Sequence, residues 1–110
     1  MSNELKQQIE DSIAGNPVHI FMKGTPEFPQ CGFSKATCDA FRSIGVEFTA
    51  TNVLEDLDNY RATLMEVTAW PTIPQVFIGS EFVGGCDIVM EMLRNGDLQA
   101  KVEALQVSEG

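Results

Sequence analysis

The order in which helical and extended apolar patterns alternate along this chain leaves few folds open. Leu5, Ile9 and Ile13 repeat at helical spacing, and Gly15 and Pro17 supply a stop. "VHIFM" (18–22) is a short apolar run suited to a buried strand. "GTPEFPQ" (24–30) is irregular, because Pro26 and Pro29 restrict both themselves and the residues before them. Phe33, Ala36, Ala40, Phe41 and Ile44 then mark one helical face that ends at Gly45. "VEFTATNV" (46–53) alternates as a strand does, and "LDNYRATLMEVT" (57–68) sets Leu57, Tyr60, Leu64 and Val67 on a helical stripe. After the prolines of "WPTIP" (70–74), "QVFIG" and "FVGG" read as a hairpin turning near Gly79–Ser80. "CDIVMEMLRNG" (86–96) is expected to be a helix with Asp87 as N-cap and Gly96 as stop. "DLQAKVEAL" (97–105) follows as a last helix, with a polar "QVSEG" tail beyond the ordered core. A βαβ unit followed by ββα implies a small α/β domain, a mixed sheet with helices on both faces.

Composition removes several functions. The chain has 110 residues, enough for one domain with a real core. Its net charge is −9, and its seven Lys and Arg residues are scattered, so DNA and RNA are excluded as partners and any anion site is small and local. No apolar run approaches the roughly 20 residues of a membrane span. Three cysteines, an odd number, do not fit a secreted disulfide framework. The opening "MSNELKQQIEDSIAG" is acidic and amphipathic, unlike a signal or transit peptide. A reducing, cytoplasmic compartment is therefore expected, with the cysteines left for reactive or ligand roles.

The cysteines differ in what their positions allow. Cys31 sits where a loop runs into a helix, where unpaired N–H groups and the helix dipole stabilise a thiolate. A small apolar residue at a helix start is the plainer reading of the same position. Redox proteins often carry Cys-x-x-Cys at such a turn, but here the fourth residue is Ser34. Cys38 lies two helical turns further on, about 10 Å along the axis and beyond disulfide reach, so it is expected to pack. Cys86 follows Gly84–Gly85, a turn by which many hairpins leave a sheet, and opens a helix. Its own N–H and that of Asp87 point outward there like an anion site, with its backbone favoured over its sulfur as the contributing group. His19, the lone histidine, lies among apolar neighbours in a strand and is read as a satisfied core or edge residue. The Phe and Met residues fall at core spacing.

Taken together, "MKGTPEFPQCGFS", "WPTIPQVFIG" and "VGGCD" closely resemble the monothiol glutaredoxins of the CGFS type. The resemblance implies a thioredoxin-like fold, a four-stranded mixed sheet flanked by helices, as one domain over 1–110 with its core at about 4–105. It also implies a glutathione site with Cys31 as the active thiol. Lys23 and Arg61 would meet the glycine carboxylate. Ile73 would pair its backbone with the tripeptide as an added strand does, a role that implies a cis Ile73–Pro74 bond. Cys86 and Asp87 would hold the γ-glutamyl end.

A lone thiol cannot release a mixed disulfide by internal attack. Two chemistries remain for Cys31: taking glutathione from a glutathionylated substrate, with a second glutathione resolving it, or serving as a metal ligand. A 2Fe–2S cluster needs four thiolates, which two chains and two glutathiones would supply. That arrangement implies a cluster-bridged homodimer that carries its cluster. The resemblance points the same way, adding BolA-like proteins and iron–sulfur apoproteins as partners. The stretch from Gly24 to Gln30, longer than in dithiol glutaredoxins, ranks cluster carriage ahead of glutathione-dependent oxidoreduction. An interaction module without chemistry ranks last.

Overall fold

A computed structural model of the protein describes residues 2–109. Four strands form one sheet: β1 (Val18–Met22), β2 (Thr49–Asn52), β3 (Gln75–Ile78) and β4 (Glu81–Gly84), in the order β2-β1-β3-β4. β1 runs parallel to β2 and antiparallel to β3, which is antiparallel to β4, so the sheet is mixed as expected. Helices α1 (Ser2–Gly15), α2 (Gly32–Ser43), α3 (Leu57–Thr68), α4 (Cys86–Asn95) and α5 (Asp97–Glu109) cover it.

Strand alternation splits the core in two. Val18, Ile20 and Met22 of β1 join Val76 and Ile78 of β3 beneath α2, α4 and α5, with Cys38, Phe41, Val89 and Leu98. Phe21 and Phe77 point to the other face, against Ile9, Val53 and Leu64 of the α1 and α3 side. Because both faces are covered, every residue of β1 and β3 is buried, and neither strand alternates between buried and exposed positions. The hairpin turn lies where expected: Gly79 and Ser80 both have positive φ, 60° and 69°, which a two-residue turn with the strands' twist demands.

Four local expectations are corrected. β2 covers only Thr49–Asn52, because the N–H of Val46 still bonds the carbonyl of Phe41 at the end of α2. At its other end, Val53 opens a single 3₁₀ turn (Val53–Asp56), capped by the side chain of Asn52. Asp87 is not an N-cap: Gly85 occupies that position, and Asp87 lies inside the first turn of α4. A side chain at Gly85 would crowd the carbonyl of Pro74 at 3.2 Å and Trp70 Nε1 at 3.4 Å, so the cap is bare. Phe33 is 64% exposed and Phe28 74%, so neither is core. The buried stripe of α2 is Ser34, Thr37, Cys38, Ala40 and Phe41, so Ala40 and Phe41 lie on the buried face as expected, within a helical spacing disguised by two polar residues. Lastly, α5 continues to Glu109, past Leu105 where its apolar pattern stops; Gly110 lies outside the described residues.

Candidate active site

Cys31 is the N-cap residue of α2, with extended backbone and no side-chain capping bond of its own. Its side chain is therefore left at the open end of the helix, half-buried, while the helix's first N–H groups face it. The main-chain N–H of Ser34 is the largest influence holding the Cys31 thiol below its ordinary pKa. The N–H of Phe33, the charge of Lys23 and the Ser34 hydroxyl act in the same direction, while partial burial opposes them.

The loop that delivers Cys31 is braced at both ends. The hydroxyl of Ser34, fully buried, accepts the N–H of Lys23 at 3.1 Å, and Asn52 Oδ1 accepts the N–H of Gly24 at 2.9 Å. The N–H of Gln30 closes back on the carbonyl of Lys23 at 2.9 Å. Gly24, at φ 90°, is obligatory here, because a Cβ would lie 2.5 Å from the carbonyl oxygen of Phe28. Arg42 donates to the carbonyl of Pro26 at 3.0 Å and fastens the loop's far side to α2.

Lys23, Cys31, Arg61, Ile73, Cys86 and Asp87 all line one cleft of about 510 Å³. They come from five separate stretches of chain: the end of β1, the start of α2, the first half of α3, the loop before β3, and the start of α4. The peptide bond between Ile73 and Pro74 is cis. Among the described residues neither Lys23 nor Arg61 makes an ion pair, whereas Lys35, Arg42, Arg94 and Lys101 each do. Two uncompensated cations thus share one cleft in a chain of net charge −9. Sequence reasoning passed over Trp70, Thr72, Phe33 and Ile88, which also line the cleft. Phe33 stands two residues after the thiol, separated from it only by Gly32, and that proximity was the available signal.

The other singled-out residues lie elsewhere. Cys38 is fully buried, its thiol 3.6 Å from Met22 Sδ, and burial pushes its pKa up; it packs. His19 is also buried, its Nδ1 2.6 Å from Thr49 Oγ1 and its Nε2 2.7 Å from Thr51 Oγ1, a fully satisfied ring. Among the described residues no three His, Cys, Asp or Glu side chains gather as a metal set, and no helix is long and apolar enough to cross a membrane.

The glutaredoxin family profile matches residues 18–83, the span from β1 into β4 that includes Cys31 and the cis proline. The monothiol glutaredoxin-5, mitochondrial, of Lachancea kluyveri is 54% identical over 106 residues, covering 94% of this chain and 73% of that protein. The chain belongs to the monothiol glutaredoxin family. The protein of the same name from Saccharomyces cerevisiae is 48% identical, over 96% of this chain and 72% of the relative. Among solved structures, reduced poplar apo GrxS14 matches with a TM-score of 0.81 at 41% identity, covering 94% of each chain. A buckwheat glutaredoxin–glutathione complex matches with a TM-score of 0.84 at 28% identity, over 94% of this chain and 91% of that one. The fold is thus the thioredoxin-like fold of the glutaredoxins. The expected cytoplasmic location is corrected by the same comparison, since both named relatives are mitochondrial proteins. Unpaired cysteines fit any reducing compartment and do not single out the cytosol.

Proposed function

We propose that this monothiol glutaredoxin binds glutathione in the cleft around Cys31 and carries a labile 2Fe–2S cluster, shared between two subunits, for storage and delivery. The observation that carries the proposal is the convergence of Lys23, Cys31, Arg61, Ile73, Cys86 and Asp87 on one cleft around a single acidified thiol. In this reading Lys23 and Arg61 take the glycine carboxylate, with Arg61 able to do so through two parallel N–H groups. The main chain of Ile73, just before the cis bond to Pro74, pairs with the tripeptide's main chain. The N–H groups of Cys86 and Asp87, at the start of α4, take the γ-glutamyl carboxylate, and the Asp87 carboxylate takes its ammonium. A glutathione complex among the structural neighbours supports the assignment.

The cluster is cargo, and its ligand arithmetic sets the assembly. Four thiolates are needed; each chain offers Cys31, and each bound glutathione offers its own. Two chains and two tripeptides complete the set, so the loaded form is a homodimer, and a BolA-like protein or an iron–sulfur apoprotein takes the place of one subunit in transfer. Residues 1–110 act as one glutaredoxin domain in this scheme, in a reducing organellar compartment. A second reading is favoured by the lowered Cys31 pKa: attack of the thiolate on a glutathionylated substrate, which releases the substrate thiol and leaves glutathione on Cys31 for a second glutathione to remove.

Anaerobic reconstitution with iron, sulfide and glutathione tests the first reading. Wild type is expected to turn brown, and Cys31→Ser to remain colourless. A wild type that stays colourless while rapidly reducing a glutathione mixed disulfide overturns cluster carriage in favour of oxidoreduction.

A further inference from the structure

Gln75 opens β3 and is 1% exposed, on the sheet face it shares with Phe77, where an apolar residue would be ordinary. Its amide is fully engaged, by the segment beside the cleft on one side and by the end of α3 on the other. Nε2 donates to the carbonyl of Trp70 at 2.9 Å and to that of Thr72 at 3.1 Å. Both of those groups only accept, so it must be the nitrogen that faces them. On its other side Oε1 lies 3.0 Å from the hydroxyl of Thr68, near the end of α3. That hydroxyl also accepts the N–H of Trp70 at 3.1 Å and lies 2.9 Å from the carbonyl of Leu64.

These bonds hold a segment that has little else to hold it. Among the described residues, no turn-type backbone–backbone bond involves residues 70–74; the last one before them joins the N–H of Ala69 to Met65. Trp70 carries the constraint further. Its ring packs edge-on against Phe82, with centroids 5.7 Å apart. Its buried Nε1, without a hydrogen-bond partner, lies 3.4 Å from where a Cβ on Gly85 would stand. The indole is therefore wedged against the residue that precedes Cys86. One buried amide touches the helix that bears Arg61 and the loop that bears Ile73, and through Trp70 it reaches the turn that bears Cys86 and Asp87.

We propose that Gln75 is a positioning residue that sets the spacing of these three cleft walls, and with it the fit of an extended tripeptide thiol. The identity of that ligand rests on the glutathione reading above, whereas the spacing of the walls does not. A buried amide deleted at constant volume leaves two carbonyls without their donor, which drives the loop toward water.

The chain's only tryptophan is Trp70, so its emission reports this segment alone. Three variants of the full chain serve: Gln75→Met, which keeps length and removes both donors; Thr68→Val, which keeps shape and removes the hydroxyl; and Thr68→Ser, which keeps the hydroxyl. Gln75→Met is expected to show red-shifted, more quenchable Trp70 emission with unchanged far-UV circular dichroism, and glutathione affinity weakened on the order of ten-fold. Thr68→Val should move the same way by less, and Thr68→Ser should restore wild-type behaviour. Should Gln75→Met fail to fold, the Thr68 pair decides the matter alone. Wild-type emission and affinity in folded Gln75→Met and Thr68→Val overturn the inference. If wild type does not bind glutathione yet Trp70 shifts in these variants, the glutathione reading falls and the positioning role stands.

Discussion

Cys31 caps α2 with its main chain while its side chain stands free, and that division of labour makes the thiol acidic. The donors that act on it, led by the N–H of Ser34, belong to the helix's own first turn, so the effect survives any rearrangement of the rest of the cleft. Ser34 occupies the place of a second cysteine, yet its hydroxyl is engaged by the N–H of Lys23. It is a brace between loop and helix. A lowered thiol pKa means thiolate persists to lower pH. Alkylation of Cys31 by iodoacetamide should therefore show its midpoint below that of a free cysteine, with Cys38 unreactive until unfolding because it is buried. Ser34→Ala, which removes the hydroxyl and keeps the helix N–H groups, should raise that midpoint only slightly. A Cys31 midpoint at or above that of free cysteine contradicts a thiol held by the first turn of α2.

At the scale of elements, the join between β1 and β2 depends on His19, whose two nitrogens span Thr49 and Thr51 of the edge strand. Burial drives its pKa down from 6.5 to about 4. The unfolded chain therefore takes up a proton that the folded chain refuses between those values. This contribution to stability is complete above pH 6.5 and shrinks as pH falls toward 4, by at most about 3 kcal/mol. Urea midpoints of wild type between pH 7 and 5 should fall more steeply than those of His19→Asn, and equal slopes would contradict the assignment. Element order was legible in the sequence because buried strands and helical stripes carry different periods. Two details were not. The stripe of α2 runs through Ser34 and Thr37, whose burial depends on partners in other elements, so Phe33 was drawn into the core wrongly. Asp87 has the composition of an N-cap, but the close approach of Pro74 and Trp70 reserves that position for Gly85.

Across the whole molecule, the cleft exists because five separate stretches of chain end at the same place. Local pattern alone marked Cys31 and the Gly84–Gly85 turn; Lys23, Arg61 and Ile73 were reached through family resemblance, and the fold brings all of them to one cleft. Gln75 and Trp70 were invisible to sequence reasoning, since a polar residue opening a strand and a tryptophan beside a proline have no local signature of the bonds they make. The charge distribution reinforces the site: a strongly acidic chain keeps Lys23 and Arg61 without ion-pair partners among the described residues. The proposed function stands on one point above all: one thiol per chain suffices because the remaining ligands come from glutathione and a second chain. Sedimentation of the reconstituted protein, followed by visible absorbance with and without glutathione, tests it most directly. Colour is expected to sediment at twice the chain's mass with one glutathione per chain, and neither colour nor dimer is expected when glutathione is omitted. Colour that sediments with the monomer, or that forms without glutathione, would contradict it.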